Sequence, residues 1–402
     1  MGNDLTFTQV ADIIAEIASQ ATGKKILSPI DLTNFVNVGQ LALKAGYDPV
    51  FQAISQVLSY TVFSVRPYYR KFRGMENSET AWGNHVRKIS YIDGNPEDND
   101  TYNYPATWDD RKTPPNGNGQ SVDQWCIKKA DFIQTNFYGA NVFGDHISIF
   151  RKPMEVAFQS PSEFSYWLSG MLTNWTSQRE QWIEGMARAT LANLIASVAA
   201  EGTASRHVHL ITQYNALTGL TLDQQTVFQP DNYVPFVQWV FSEIDRICGM
   251  MTERTEMFQT QITGKTVNRH TPYADQRVYL YRPYLTQVSS MALSNTFHNN
   301  FLNMTVTEEV NFWQSVTNPS AINITPTYMG ADGTLVTPDA PVTLNNVFGI
   351  ICDKEAAGFA ITDNSSLATP INARAEYSNI WWHSVFKNYN DITEKAIILT
   401  LD

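Results

Sequence analysis

Cysteine is scarce in this 402-residue chain. There are three, Cys126, Cys248 and Cys352, far apart in sequence. No pair has the spacing of a metal site, and no disulfide framework can be drawn from them. A reduced, cytosolic place of synthesis is the simpler expectation. Basic residues are also in deficit: 28 Lys and Arg stand against 39 Asp and Glu, a net charge of −11. A protein that grips nucleic acid over a broad surface would be basic, so tight polyanion binding is disfavoured. Long apolar runs are missing as well. The charge-free window 51–65 is interrupted by Gln and Ser and is too short to span a bilayer. The opening MGNDLTFTQ has neither a basic segment nor an apolar core, which predicts no signal peptide.

The motifs of common chemistries are missing too. Gly23-Lys24 lacks the upstream glycine and the following Ser or Thr of a phosphate loop. Asn116-Gly117-Asn118-Gly119 has no strand before it, so it is no dinucleotide fingerprint. His207 and His209 would share one face of a strand, but nothing nearby suggests a third metal ligand. No serine sits in a nucleophile elbow, and Cys126 has no evident partner. Glu308 with Glu309 and Asp353 with Glu355 are pairs in sequence, which does not make an acid–base pair in space. No catalytic, cofactor-binding or metal-binding residue can be named, and no enzyme activity is expected.

What is present is length, aromatic residues (12%) and order. Thr6 and Gln9 form a capping box before Val10, Ile13, Ile14 and Ile17, which repeat at helical spacing up to Gly23. Residues 28–58 read as short helical pieces broken by Pro29, Gly39, Gly46 and Pro49, an extended arm more than a compact unit. Residues 66–120 are rich in turn formers, with a strand-like patch at 86–92. The run TPPNGNGQ, which includes Gly117 and Gly119, reads as the tip of a long two-stranded loop. A loop of that length inside one domain is unusual without a function.

Residues 160–202 predict one very long helix. Ser160 caps it, Pro161 occupies its first turn, Glu163 completes a capping box, and Gly202 stops it. Phe164, Leu168, Met171, Trp175, Trp182 and Met186 step along it by threes and fours, as a packing stripe does. Further helices are expected over 233–258 and 286–302, with strands at 278–281, 347–352, 380–386 and 395–401. The last two are expected to pair with each other. Trp381 and Trp382 must then face opposite ways, one of them toward the long helix.

This order resembles the major capsid proteins of tailed bacteriophages with the Hong Kong 97-type fold. There an N-terminal arm is followed by an extended E-loop, a peripheral P-domain built on a spine helix, and an axial A-domain. The closing text VFGIICDKEAAGFAITD…EYSNIWWHSVFKNYNDITEKAIILTLD is similar to that family's final segment. RPYYRKFRGMENSETAWGNHVRKISYIDG looks like the E-loop entry of small short-tailed phages. The resemblance spans nearly the whole chain, but it rests on order and texture and no invariant motif carries it.

It implies an α+β fold with an arm at 1–65, an E-loop at 66–150, a P-domain at 151–205 and an A-domain at 206–375. The strands at 376–402 would return to the P-domain. It further implies a virion protein that assembles with itself into hexamers and pentamers around double-stranded DNA, touched only by weak non-specific contacts. A scaffolding protein and a portal protein would be its partners. Trp167, Trp175, Trp182, Trp381, Trp382, Gly117 and Gly119 are the structural and assembly candidates. No crosslinking Lys–Asn pair is identifiable. Two alternatives stand beside this reading: an encapsulin-type compartment shell of the same fold, and a soluble hydrolase or carbohydrate-binding protein that uses its tryptophans.

Overall fold

The computed structural model describes residues 6–60, 68, 70–76, 86–92, 132–138, 140–265, 267–285 and 307–402. The glycines at 117 and 119, Cys126 and the helix expected over 286–302 lie outside these described residues.

The chain opens with α1 (Phe7–Thr22), α2 (Leu32–Lys44) and α3 (Tyr47–Tyr60). The capping box is formed: Thr6 Oγ1 accepts from Gln9 N, and Gln9 Oε1 accepts from Thr6 N at 2.9 Å. Two expected breaks are not breaks. Gly39 lies within α2, where a side chain would meet Phe158 at 3.0–3.1 Å, and Pro49 falls in the first turn of α3, where its missing N–H costs nothing. These helices are packed against the rest of the chain. Val10, Ile14, Ile17, Phe35, Phe51 and Ile54 share one buried cluster with Phe164 and Leu168 of the long helix.

β1 (Val86–Tyr91) pairs antiparallel with β2 (Phe132–Phe137), Val86 opposite Phe137 and Tyr91 opposite Phe132. This is the two-stranded base expected for the long loop. Next come β3 (Ala140–Phe150), the short α4 (Arg151–Ala157) and α5 (Pro161–Glu201). With 41 residues, α5 is about 60 Å long. It ends at Gly202, whose φ of 79° only glycine adopts without strain. At its start Ser160 has the extended backbone of a cap, but its hydroxyl pairs with Ser162 and the expected capping box is not made. Along its second half Ile183, Ala187, Leu191, Leu194, Ile195 and Val198 are buried in a second cluster. Thr190 and Ser197 tolerate that burial because each hydroxyl donates to the carbonyl four residues back.

The remaining elements are β4 (His207–His209), α6 (Leu210–Thr218), α7 (Pro230–Thr252), β5 (Gln276–Tyr281), β6 (Glu308–Val310), β7 (Ile322–Ile324), β8 (Tyr328–Met329), β9 (Leu335–Val336), β10 (Val342–Leu344), β11 (Val347–Asp353), β12 (Ala357–Ala368), β13 (Tyr377–Asn390) and β14 (Ala396–Thr400). Two sheets organise them, ordered β12-β13-β3 and β4-β14-β11-β5-β6, with small pairs β7-β10 and β8-β9 beside them.

The five-stranded sheet is buried on both faces. Tyr279, Ile350, Cys352, Ala396 and Ile398 join the α5 cluster, while Val278, Leu280, Ile351, Ile397 and Leu399 join a third cluster with α6 and α7. A strand covered on both sides has no polar face, which is why Ala396–Leu399 reads as an unbroken apolar run. The pairing expected for the tail is therefore wrong. β13 pairs with β12 and β3, whereas β14 pairs with β11 and, in parallel, with β4. The turn between β13 and β14 carries the chain from one sheet to the other.

Candidate functional site

The tryptophans meet where α5 crosses the three-stranded sheet. Side chains alternate along β13, so adjacent Trp381 and Trp382 leave opposite faces. Trp382 is buried and stacks on Trp175 of α5, ring centroids 4.5 Å apart. Two turns further along the helix, Trp182 stacks on Phe143 of β3 at 3.6 Å and meets Phe386 edge-on at 5.8 Å. Trp167 is half-buried against Phe164 at 6.0 Å. On the other face Trp381 stacks on His146, its register partner in β3, at 4.4 Å.

A cavity of about 270 Å³ opens beside this seam, lined by Phe143, Asp145, Arg179, Trp182, Trp382 and Ser384. The Arg179 guanidinium lies 5.6 Å from the Trp175 ring centre, and burial lowers its pKa. Among the described residues, the indole N–H of Trp382 has no acceptor.

A second feature straps the chain to α5. Tyr68 donates its hydroxyl to Glu184 Oε2 at 2.5 Å, and Arg70 Nη1 lies 2.5 Å from Glu180 Oε1. Burial, then the Glu184 hydrogen bond, pushes the Tyr68 phenol up to about 12. Glu184 also pairs with Arg188 at 2.6 Å, and the Arg188 guanidinium sits between the rings of Phe72 and Phe312. The β1–β2 hairpin follows this strap. Its outward face exposes Ile89, Tyr91 and Phe132, each more than half accessible, with Tyr91 and Phe132 side by side.

The residues singled out for chemistry are used otherwise. His207 and His209 do share a face of β4, rings 4.1 Å apart, but His207 Nε2 bonds Thr400 Oγ1 and His209 Nδ1 bonds Asp402 Oδ1. Among the described residues no group of three metal-ligating side chains forms. Cys248 and Cys352 are buried, which pushes their thiols up to about 11 and about 12, away from nucleophilic use. Glu308 accepts from the Phe72 amide, Glu309 pairs with Arg282, and Asp353 accepts from Thr271 Oγ1 at 2.7 Å.

Sequence reasoning missed one constellation. Lys88 of β1 reaches Asp391 and Glu394 in the turn between β13 and β14 and Glu355 in the turn between β11 and β12, and Arg269 reaches Glu394. The signal was available in DITEK, a dense charge run set between two strands that are themselves buried.

No family model matches the chain, and no curated protein matches it. Solved structures do. The fold is similar to a chain in the capsid structure of Staphylococcus phage Andhra, at 10% identity over 85% of this chain and 87% of that one, with a TM-score of 0.52. It is similar to a chain in the structure of the head fiber and inner core protein gp22 of native bacteriophage P68, at 10% identity, the same two coverages and a TM-score of 0.50. The chain has an α+β fold of the kind found in phage capsids. At such identity the likeness is one of fold.

Proposed function

We propose that the chain is the major capsid protein of a short-tailed bacteriophage, a structural subunit with the Hong Kong 97-type fold and no enzyme activity. In this reading it assembles with itself into hexamers and pentamers of an icosahedral shell around double-stranded DNA. A scaffolding protein guides assembly, and a portal protein occupies one vertex. The arm, E-loop, P-domain and A-domain would be 1–65, 66–150, 151–205 and 206–375, with 376–402 divided between the two sheets.

The observation that carries this reading is the fold likeness to the Andhra capsid chain over most of both chains. Two physical features support it. An outward apolar hairpin face of Ile89, Tyr91 and Phe132 gains by being covered, and copies of the same chain are its most abundant neighbours. A net charge of −11 suits a wall that contains DNA without adhering to it.

The test is electron microscopy of the purified protein, alone and co-expressed with its neighbouring genes. Closed shells, tubes or capsomers are expected. A monodisperse monomer under every condition would overturn the reading.

A further inference from the structure

The charged groups of the β13–β14 turn take no part in the aromatic seam or in the outward hairpin face. Asp391 and Glu394 are 3% and 4% exposed, as deeply buried as the core around them. Burial of carboxylates demands opposite charge close by. Lys88 supplies it from β1, with Nζ 2.9 Å from Asp391 Oδ2, bonded also to Glu394 and 3.7 Å from Glu355. Arg269, from the loop after α7, supplies the second cation, with Nη1 2.5 Å from Glu394 Oε1. Its Nη2 donates to Ser90 Oγ of β1 and to Thr393 Oγ1 of the turn, at 3.1 and 3.2 Å.

Two other cations lie nearby. Lys395 Nζ donates to the Glu253 carbonyl at 2.7 Å. Arg206 donates to the Ala396 carbonyl, to Thr260 Oγ1 and to the Glu394 backbone carbonyl and pairs with Glu201 at 3.7 Å, so it holds the turn by its backbone and not by its carboxylates. Two cations therefore meet two buried carboxylates, and they come from three separate segments.

We infer that Lys88, Arg269, Asp391 and Glu394 form an electrostatic latch that fixes the base of the β1–β2 hairpin to the junction between the two sheets. An isolated two-stranded hairpin is marginal in water and must be held by what it docks on. Apolar contact holds the root, where Val86 is buried and Phe137 meets Tyr389 at 5.6 Å. Beyond the root, Lys88 and Ser90 face the body while Arg87, Ile89 and Tyr91 face away. From that point the charge cluster sets the direction of the hairpin, because paired charges with hydrogen bonds fix geometry more narrowly than an apolar patch does. The latch belongs to the single chain and does not depend on the shell reading.

Hydrogen–deuterium exchange on the unassembled full-length chain tests it. Lys88→Met should speed exchange of the amides at 86–91 and 132–137 tenfold or more, while those of β11 and β14 stay as in the parent. Adding Glu394→Gln should bring the hairpin part of the way back, because the carboxylate left without a counter-charge is gone. Hairpin exchange within twofold of the parent would overturn the latch. So would uniform acceleration across β11 and β14, which would mark Lys88 as a general stability residue. If Lys88→Met yields no folded protein, Glu394→Gln alone carries the same comparison, with the same two outcomes against it.

Discussion

Trp382 of β13 lies flat on Trp175 of α5, with centroids 4.5 Å apart and 28° between the rings. The contact joins the last long strand of the three-stranded sheet to the middle of a helix some two hundred residues earlier in the chain. Trp382→Ala removes a buried indole and should cost about 3–5 kcal/mol in urea unfolding. A double-mutant cycle with Trp175→Ala should return a coupling of about 0.5–1.5 kcal/mol. A cycle that closes to zero would mean the stacking contributes nothing beyond buried area.

Trp381 provides the contrast. It leaves the opposite face, is half-buried and stacks on His146 and His383. Trp381→Ala should destabilise the isolated subunit by about 1 kcal/mol or less, as surface positions do. If the shell reading holds, its larger effect should appear as fewer particles by sedimentation or microscopy at equal subunit stability.

Gly349 has no room for a side chain. A Cβ there would lie 2.6 Å from both the Leu280 side chain and the Tyr279 carbonyl oxygen on the neighbouring strand. Gly349→Ala should destabilise by about 1–3 kcal/mol through overpacking. Differential scanning calorimetry would show a lowered Tm, and an unchanged Tm would mean that β11 and β5 can separate without cost.

Removal of residues 395–402 takes away β14, a strand flanked on both sides by β4 and β11. The loss opens both the α5 cluster and the α6–α7 cluster, and soluble protein should disappear from the expression supernatant. Normal yield with native circular dichroism would show that the sheet closes without its inner strand.

Acid should weaken the latch through Asp391. Burial pushes that carboxyl up, but the charge of Lys88 and the hydrogen bonds from Thr393 outweigh it and hold it below the ordinary aspartate value. A depressed carboxylate stabilises the fold above its unfolded pKa, and that contribution is lost as pH falls through the folded pKa. Stability measured by urea titration should therefore fall as pH drops below about 4. Asp391→Asn should flatten that part of the profile.

Much of the layout was legible in the sequence. The capping box at Thr6, the stop at Gly202 and the stripe from Phe164 to Met186 are local signals, and local signals place helices. The base of the long loop was legible at 86–92 because alternation and flanking turn formers mark a strand. That one of Trp381 and Trp382 faces the long helix was legible from strand alternation; that it is Trp382, and that it meets Trp175, was not. Misreadings arose where the deciding contact is distant. Gly39 looked like a break because its reason for being glycine is Phe158, more than a hundred positions away. The first three helices looked like a loose arm because what they cover is α5.

Propensity, capping and periodicity act between near neighbours, so α1, α5, α7 and the apolar strands β11 and β14 could be read along the chain. Strand pairing could not, because it is set by contacts between distant segments. β13 and β14 are adjacent in sequence, yet they enter different sheets. An apolar run such as Ala396–Leu399 states that both faces are covered without stating by what. What covers them is α5 on one face and α6 with α7 on the other.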